Sequence, residues 1–273
     1  MKKTVIGAIA LLGTLTVTPA LAKETISAVG SSSVTPLMEV FSETYMKTNP
    51  DVFIEVQGPG SSAGVKAAKN GSADLGMSSR NLKESEKEPA LKELTVALDG
   101  IAVVVNPKND LQGLTAEQVT AIYKGEVTNW KDVGGADKPI VAITRDTASG
   151  TRGAFEDIMK LKRKIGDKKV SAISQRAQVA NGNGALKTMV ASNPYAIGYI
   201  SLGTVDGSVN ALAINGTEAT VENVKNNSYQ VARPFLVLYK DGKPSAETQK
   251  FLDWMLSDDA QTLVDQKGYI SVN

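Results

Sequence analysis

Arg145-Asp146-Thr147-Ala148-Ser149-Gly150-Thr151-Arg152 follows the apolar run Ile140, Val141, Ile143 and precedes a helical pattern from Gly153 to Lys160. That order predicts a strand, a turn and a helix start. The turn carries two guanidinium groups, three hydroxyls (Thr147, Ser149, Thr151) and a flexible Gly150, so backbone N–H groups, dipole and charge can act together on an oxyanion. An ordinary helix cap is the alternative, because Ser, Thr and Asp are favoured there with no ligand at all.

Earlier in the chain the same construction recurs. Thr25 to Val29 predicts a strand, Gly30-Ser31-Ser32-Ser33 a turn, and Pro36 to Lys47 a helix with Leu37, Val40, Phe41 and Tyr45 on one face and Thr35 as its N-cap. Val52 to Val56 is the next strand, followed by Gly58-Pro59-Gly60-Ser61-Ser62-Ala63-Gly64 and a short helix through Lys69. Ala73 to Arg80 (Ala-Asp-Leu-Gly-Met-Ser-Ser-Arg) is a short strand ending in Ser79 and Arg80, before a charged helix expected around Glu84 to Leu94. An arginine just past a strand's carboxyl end is well placed for a cleft, since open α/β sheets bind ligands there, although a solvated surface charge is the plainer reading.

Asp99 to Asn106 is a strongly apolar strand and the expected first crossing into a second half. Thr115-Ala116-Glu117-Gln118 is a capping box opening a helix through Lys124, and Trp130 sits in a polar loop as a packing anchor. A basic stretch from Lys160 to Lys169 has a helical pattern with a solvated face, Asn181 to Gly184 forms a turn before a helix through Ala191, and Ala196 to Ile200 is a strand. Arg233 to Tyr239 predicts a strand returning to the first half, with helices at Ser245 to Leu256 and Asp258 to Gln266 closing the chain. The fold class is therefore α/β: two α/β lobes, 23–101 plus 232–273 and 102–231, joined by two crossing strands with a ligand cleft between them.

The first 22 residues have the composition of a secretory signal peptide: a basic head at Lys2 and Lys3, an apolar run from Val5 to Val17, and Ala20-Leu21-Ala22 as the cleavage pattern. No cysteine follows to accept lipid, so a soluble periplasmic chain beginning at Lys23, with no membrane anchor, is expected. Taking Lys2 and Lys3 from the 30 basic residues leaves 28 against 29 acidic ones, a net charge of −1. That near balance argues against nucleic acid or an anionic membrane as partner, and any anion site has to be a local concentration of donors. The chain has no cysteine and no histidine. Disulfides, thiolate chemistry, Ser-His-Asp triads and the commonest metal ligand are thereby excluded, and no catalytic group, cofactor or metal is expected.

Taken together, the Gly-Ser-Ser-Ser turn at Gly30, Gly-Ser-Ser-Ala-Gly at Gly60, Asp-Leu-Gly-Met-Ser-Ser-Arg at Asp74, Thr-Asn-Trp-Lys-Asp-Val-Gly-Gly at Thr128, the Arg145 turn and Ala-Ile-Gly-Tyr-Ile at Ala196 resemble, in order, the phosphate-binding proteins of the high-affinity phosphate ABC transporter. The resemblance implies the periplasmic binding protein type II architecture, with inorganic phosphate held between the lobes and delivered to a membrane permease by a monomeric protein. It further implies Ser32 and Ser61 as hydroxyl ligands, Ser33 as a backbone donor, Arg145 as the guanidinium ligand, and Ser149, Gly150 and Thr151 as donors at a helix start. Ser79 and Arg80 complete the expected set. Many members of that family carry a proton-accepting aspartate where this chain has Ser79, and Asp146 is the candidate replacement. Binding of another tetrahedral oxyanion, sulfate or molybdate, stays open at this point, and a phosphatase lacks an evident base or metal constellation.

Overall fold

The computed structural model describes residues 23–273, so the leader expectation for residues 1–22 lies outside the described residues. The chain runs β1 (Glu24–Gly30), α1 (Thr35–Thr48), β2 (Val52–Gln57), α2 (Ser61–Asn70), β3 (Leu75–Ser78), β4 (Leu91–Val105), β5 (Gly113–Leu114), α3 (Ala116–Lys124), β6 (Val141–Arg145) and α4 (Gly150–Ile158). It continues through β7 (Lys162–Ile165), β8 (Lys168–Ser171), β9 (Gln178–Ala180), α5 (Gly182–Ser192), β10 (Ala196–Ser201), β11 (Asn210–Ala211), β12 (Ala213–Ile214), α6 (Val221–Lys225), β13 (Ala232–Lys240), α7 (Ala246–Trp254) and α8 (Asp258–Gln266).

One sheet path organises these elements, β2-β1-β3-β13-β4-β10-β6-β9, with β11 also on β4. β1 pairs in parallel with β2 and β3, and β6 in parallel with β9 and β10, so the turns after β1, β3 and β6 leave the carboxyl ends of parallel strands. β4 runs through the middle. Its Leu91–Gly100 portion is antiparallel to β13, and from Ile101 to Val105 it is antiparallel to β10. The change of partner at Gly100–Ile101 coincides with a change of core. Ile26, Phe41, Val96, Phe235, Phe251 and Val264 belong to one buried cluster, and Val103, Tyr123, Trp130, Phe155 and Tyr199 to another.

Three expectations are corrected. Residues 81–90, expected to begin a charged helix, form turns and irregular chain, and Leu91–Leu94 belongs to β4. Pro89 cannot donate within a helix, the Glu86 carboxylate is drawn onto Arg80 and the Lys83 N–H, and β13 supplies partners for the backbone from Leu91 onward. Lys160–Lys169 is a hairpin, β7 with β8, turning at Gly166-Asp167 where Gly166 has φ 57°. The local lysine spacing was compatible with both structures, and the turn residues decide. Thr35 is the first residue of α1 and not its N-cap. Ser31 does the capping work from outside the helix: its Oγ accepts the Ser33 and Val34 N–H groups at 3.1 and 3.3 Å, and Thr35 Oγ1 donates to the Ser31 carbonyl.

The Thr115–Gln118 capping box is present in full, and Trp130 is 2% exposed with its Nε1 donating to the Tyr195 carbonyl at 3.1 Å. Among the described residues no helix is long and apolar enough to cross a membrane.

Candidate functional site

Four helices begin at one place. Ser33, just ahead of α1, shares a hydrogen bond with Thr151 in the first turn of α4 (2.9 Å) and accepts from Asn183 Nδ2 in the first turn of α5 (2.9 Å). Ser61 opens α2, and a Cβ added to Gly150 at the start of α4 would stand only 2.1 Å from Ser61 Oγ and 2.6 Å from Ser79 Oγ. The Ser62 N–H donates to the Ala148 carbonyl at 3.1 Å across the same gap. Helix N-termini carry unpaired N–H groups and the positive end of the helix dipole, so their convergence creates a positive potential with donors already aimed inward. The close approach of α2 to the sheet needs Gly64 and Gly76: a Cβ on Gly64 would meet the Met77 carbonyl at 2.6 Å, and one on Gly76 the Gly64 carbonyl at 2.5 Å.

Arg145 is the centre of the charge. It is 1% exposed, Nη1 donates to Asn183 Oδ1 at 2.9 Å, and Nη2 reaches across to Ser32 Oγ at 3.1 Å. Its Nε is buried with no hydrogen-bond partner. Arg145 forms no ion pair among the described residues, whereas Arg80 pairs with Glu86, Arg152 with Glu156 and Arg233 with Asp99. Burial lowers the Arg145 pKa, and nearby Asp146 partly offsets this. Arginine keeps its proton regardless. A buried cation with an orphaned donor, among hydroxyls, is electrostatically complementary to an anion.

Behind Arg145, Tyr199 on β10 orders the backbone. Its hydroxyl lies 2.7 Å from Thr144 Oγ1 and accepts the Arg145 N–H at 3.2 Å, while its ring stacks on Phe155 at 4.0 Å. Burial pushes the phenol up to about 12, so it stays neutral and keeps both hydrogen-bonding functions. Arg152 Nη1 donates to the Arg145 carbonyl at 2.8 Å, which makes it a brace for the turn.

The structure brings Ser32, Ser33, Ser61, Ser79, Arg145, Gly150 and Thr151 into this one cluster, and Ser149 caps α4 by accepting the Arg152 N–H at 3.2 Å. Arg80 sits at its margin with both Nη groups on Glu86, at 2.7 and 2.8 Å, and with its Cδ against Gly153. Asp146 Oδ1 accepts the Ala148 N–H at 2.8 Å, shaping the turn, and its side chain is half-buried. Four residues escaped sequence reasoning: Ser31, Asn183, Arg233 and Asp99. Ser31 and Asn183 were visible in turns already singled out. Arg233 and Asp99 looked like strand residues, and only an arginine and an aspartate embedded in otherwise apolar runs hinted at a buried pair.

The fold is that of an α/β substrate-binding protein, and hydroxyl, backbone N–H and guanidinium donors meet at its buried Arg145. The chain belongs to the periplasmic binding protein family: residues 16–259 match the model of the PBP superfamily domain. It is 31% identical over 252 residues to the phosphate-binding protein PstS of Bacillus subtilis, covering 89% of this chain and 79% of that one. An assigned phosphate ABC transporter substrate-binding protein from Clostridium perfringens, solved with bound phosphate, superposes with a TM-score of 0.86 at 43% identity, covering 92% of this chain and 100% of the other. An ABC-type phosphate transport receptor from Vibrio cholerae gives 0.78 at 42% identity, over 90% and 99% of the two chains.

Proposed function

We propose that this chain is the substrate-binding component of a phosphate ABC importer, capturing inorganic phosphate in the cleft and delivering it to a membrane permease. The observation that carries the reading is Arg145: a 1% exposed guanidinium with no ion-pair partner among the described residues and an unpaired Nε, reaching the Ser32 hydroxyl. The names borne by its relatives supply the particular anion. Ser32, Ser33, Ser61, Ser79, Ser149, Gly150 and Thr151 are the proposed donors around Arg145, with Asn183 holding the guanidinium in plane. Arg80 and Arg152 act as braces, since carboxylates already neutralise both.

The lobes we assign are 23–101 with 232–273, and 102–231, with β4 and β13 as the hinge. Each supplies part of the donor set, so bound phosphate favours the closed arrangement. We assign no catalysis: the hydroxyls neighbour arginine, asparagine and one another, and none of these is a base at neutral pH. Export to the periplasm and action as a monomer belong to the same reading.

Calorimetric titration of phosphate-free protein tests it. One phosphate bound per chain, with a matching rise in thermal stability, is expected. Absence of both would overturn the assignment.

A further inference from the structure

Ser79 is the hydroxyl whose hydrogen-bonding capacity can be counted to the end. Ser31 Oγ accepts the Ser33 N–H at 3.1 Å and the Val34 N–H at 3.3 Å, the latter shared with the Ser31 carbonyl at 3.1 Å. Its lone pairs face these backbone donors, and its own hydrogen points to Ser79 Oγ at 2.8 Å. Arg233 Nη1 donates to the same Ser79 Oγ at 3.2 Å and to the Ser79 carbonyl at 3.1 Å. Arg233 can only donate, and Asp99 holds it in place through two contacts to Oδ2 at 2.8 and 3.1 Å. Ser79 Oγ therefore accepts twice and has one hydrogen left to give. That hydrogen lies on the side of Gly150 and of Ser61 Oγ, which is 3.4 Å away and itself accepts the Ser79 N–H at 3.1 Å.

We propose that Ser31 and Arg233 lock Ser79 as an obligate donor toward the cleft, so that the site takes the more deprotonated form of its oxyanion and admits sulfate beside phosphate. The inference rests on the phosphate reading given above. Among the described residues, Asp99 on β4 is 0% exposed and engaged by Arg233 and Ser201, Glu86 by Arg80 and Glu156 on α4 by Arg152, while Asp146 spends one of its two oxygens on the Ala148 N–H. Arg145 on β6 and Arg233 on β13 face the site as donors only, and the Tyr199 hydroxyl on β10 is taken by Thr144 and the Arg145 N–H. Each O–H that a ligand carries must then find a leftover lone pair on another hydroxyl, and two are harder to place than one. Phosphate dianion brings one, its monoanion two, and sulfate none.

The chain makes this readable, because it contains neither histidine nor cysteine. No side chain with an ordinary pKa near neutrality is present, and a pH dependence between about pH 6 and 8 that appears for phosphate but not for sulfate reports the proton on the ligand. The experiment measures inorganic phosphate affinity across that range by calorimetry, with sulfate competition at each pH, on wild type, Ser79→Asp and Ser79→Ala. In wild type, affinity for total phosphate should fall with the dianion fraction as pH drops, and sulfate should compete to within about tenfold of phosphate, the size of one modest polar contact. Ser79→Asp supplies a carboxylate that repels sulfate. It should worsen sulfate relative to phosphate by about a hundredfold or more, the scale of a desolvated like-charge contact, and flatten the pH profile. Ser79→Ala should weaken both anions by similar factors and leave the pH slope in place.

Wild-type protein that binds phosphate with a flat pH profile, or that ignores a hundredfold excess of sulfate (about 2.7 kcal/mol of discrimination), would overturn the donor assignment while leaving the phosphate reading intact. Protein that binds neither anion would overturn the phosphate reading itself.

Discussion

Arg233 and Asp99 stand opposite one another in the register of β13 and β4, with Nη2 2.8 Å from Oδ2 and side-chain exposures of 1% and 0%. Burial raises the Asp99 pKa, while Arg233 and Ser201 draw it back down; burial lowers Arg233, and Asp99 opposes that. The pair lies where β4 changes partners, directly behind Ser79. A buried ion pair contributes little net stability when intact, but removing one member leaves an uncompensated charge. Asp99→Ala should therefore lose about 3–5 kcal/mol of unfolding free energy. Chemical denaturation checks this, and the double variant with Arg233→Met should recover a good part of the loss.

Arg145 illustrates the opposite balance. With no ligand its charge is buried without a counterion, so Arg145→Met should leave the phosphate-free protein as stable as wild type or about 1 kcal/mol more stable, as replacements of buried charges often do. Arg145→Ala should weaken phosphate binding by roughly 2–5 kcal/mol, the usual cost of truncating one member of a buried charged contact. Thr151→Ala should cost less, about 1–3 kcal/mol. Calorimetry gives the binding losses. Binding by Arg145→Ala at wild-type strength would remove that residue from the site.

Gly150 tests closure. A methyl group there would collide with Ser61 Oγ at 2.1 Å, at the start of α2, and Ser79 Oγ at 2.6 Å, just past β3. Alanine suits the first turn of a helix, so Gly150→Ala should fold, remain open and bind phosphate poorly. Small-angle scattering is the measurement: wild type should contract on adding phosphate, and the variant should not.

Glu86 carries a pH signature. Burial alone would raise its pKa, but hydrogen bonds from Arg80 and the Lys83 backbone outweigh it and leave the group below its ordinary 4.5. A carboxylate whose folded-state pKa is depressed stabilises the fold above its unfolded value and loses that contribution as pH falls through the folded value. Glu86→Gln should cost about 1–2 kcal/mol near neutral pH, on the scale of a partly exposed charge-assisted bond. The gap from wild type should close below about pH 4.5. A gap that persists in acid would place the effect in packing.

Export has a simple readout. Processing after Ala22 should give a mature chain starting at Lys23, and intact mass of the protein recovered from the cell envelope checks it.

Local signals determined a large part of this molecule. Alternating apolar runs and serine-rich turns placed β1, β2, β6 and β13, and the Thr115 capping box placed α3, because caps and periodicity act within a few residues. The strand, turn and helix start around Arg145 were legible for the same reason. Local pattern misled wherever a distant partner decided the outcome. Residues 91–94 became strand because β13 lies beside them, and Arg80 turned away to Glu86 once the intervening loop folded back. Asn183, Asp99 and Arg233 joined the site through contacts spanning 150, 102 and 154 positions, to Ser33, Ser201 and Ser79. Hydrogen bonds to a buried hydroxyl come from whichever groups the fold brings within reach, so the residue type at Ser79 was written in the sequence, but its partners Ser31 and Arg233 were decided only by tertiary packing.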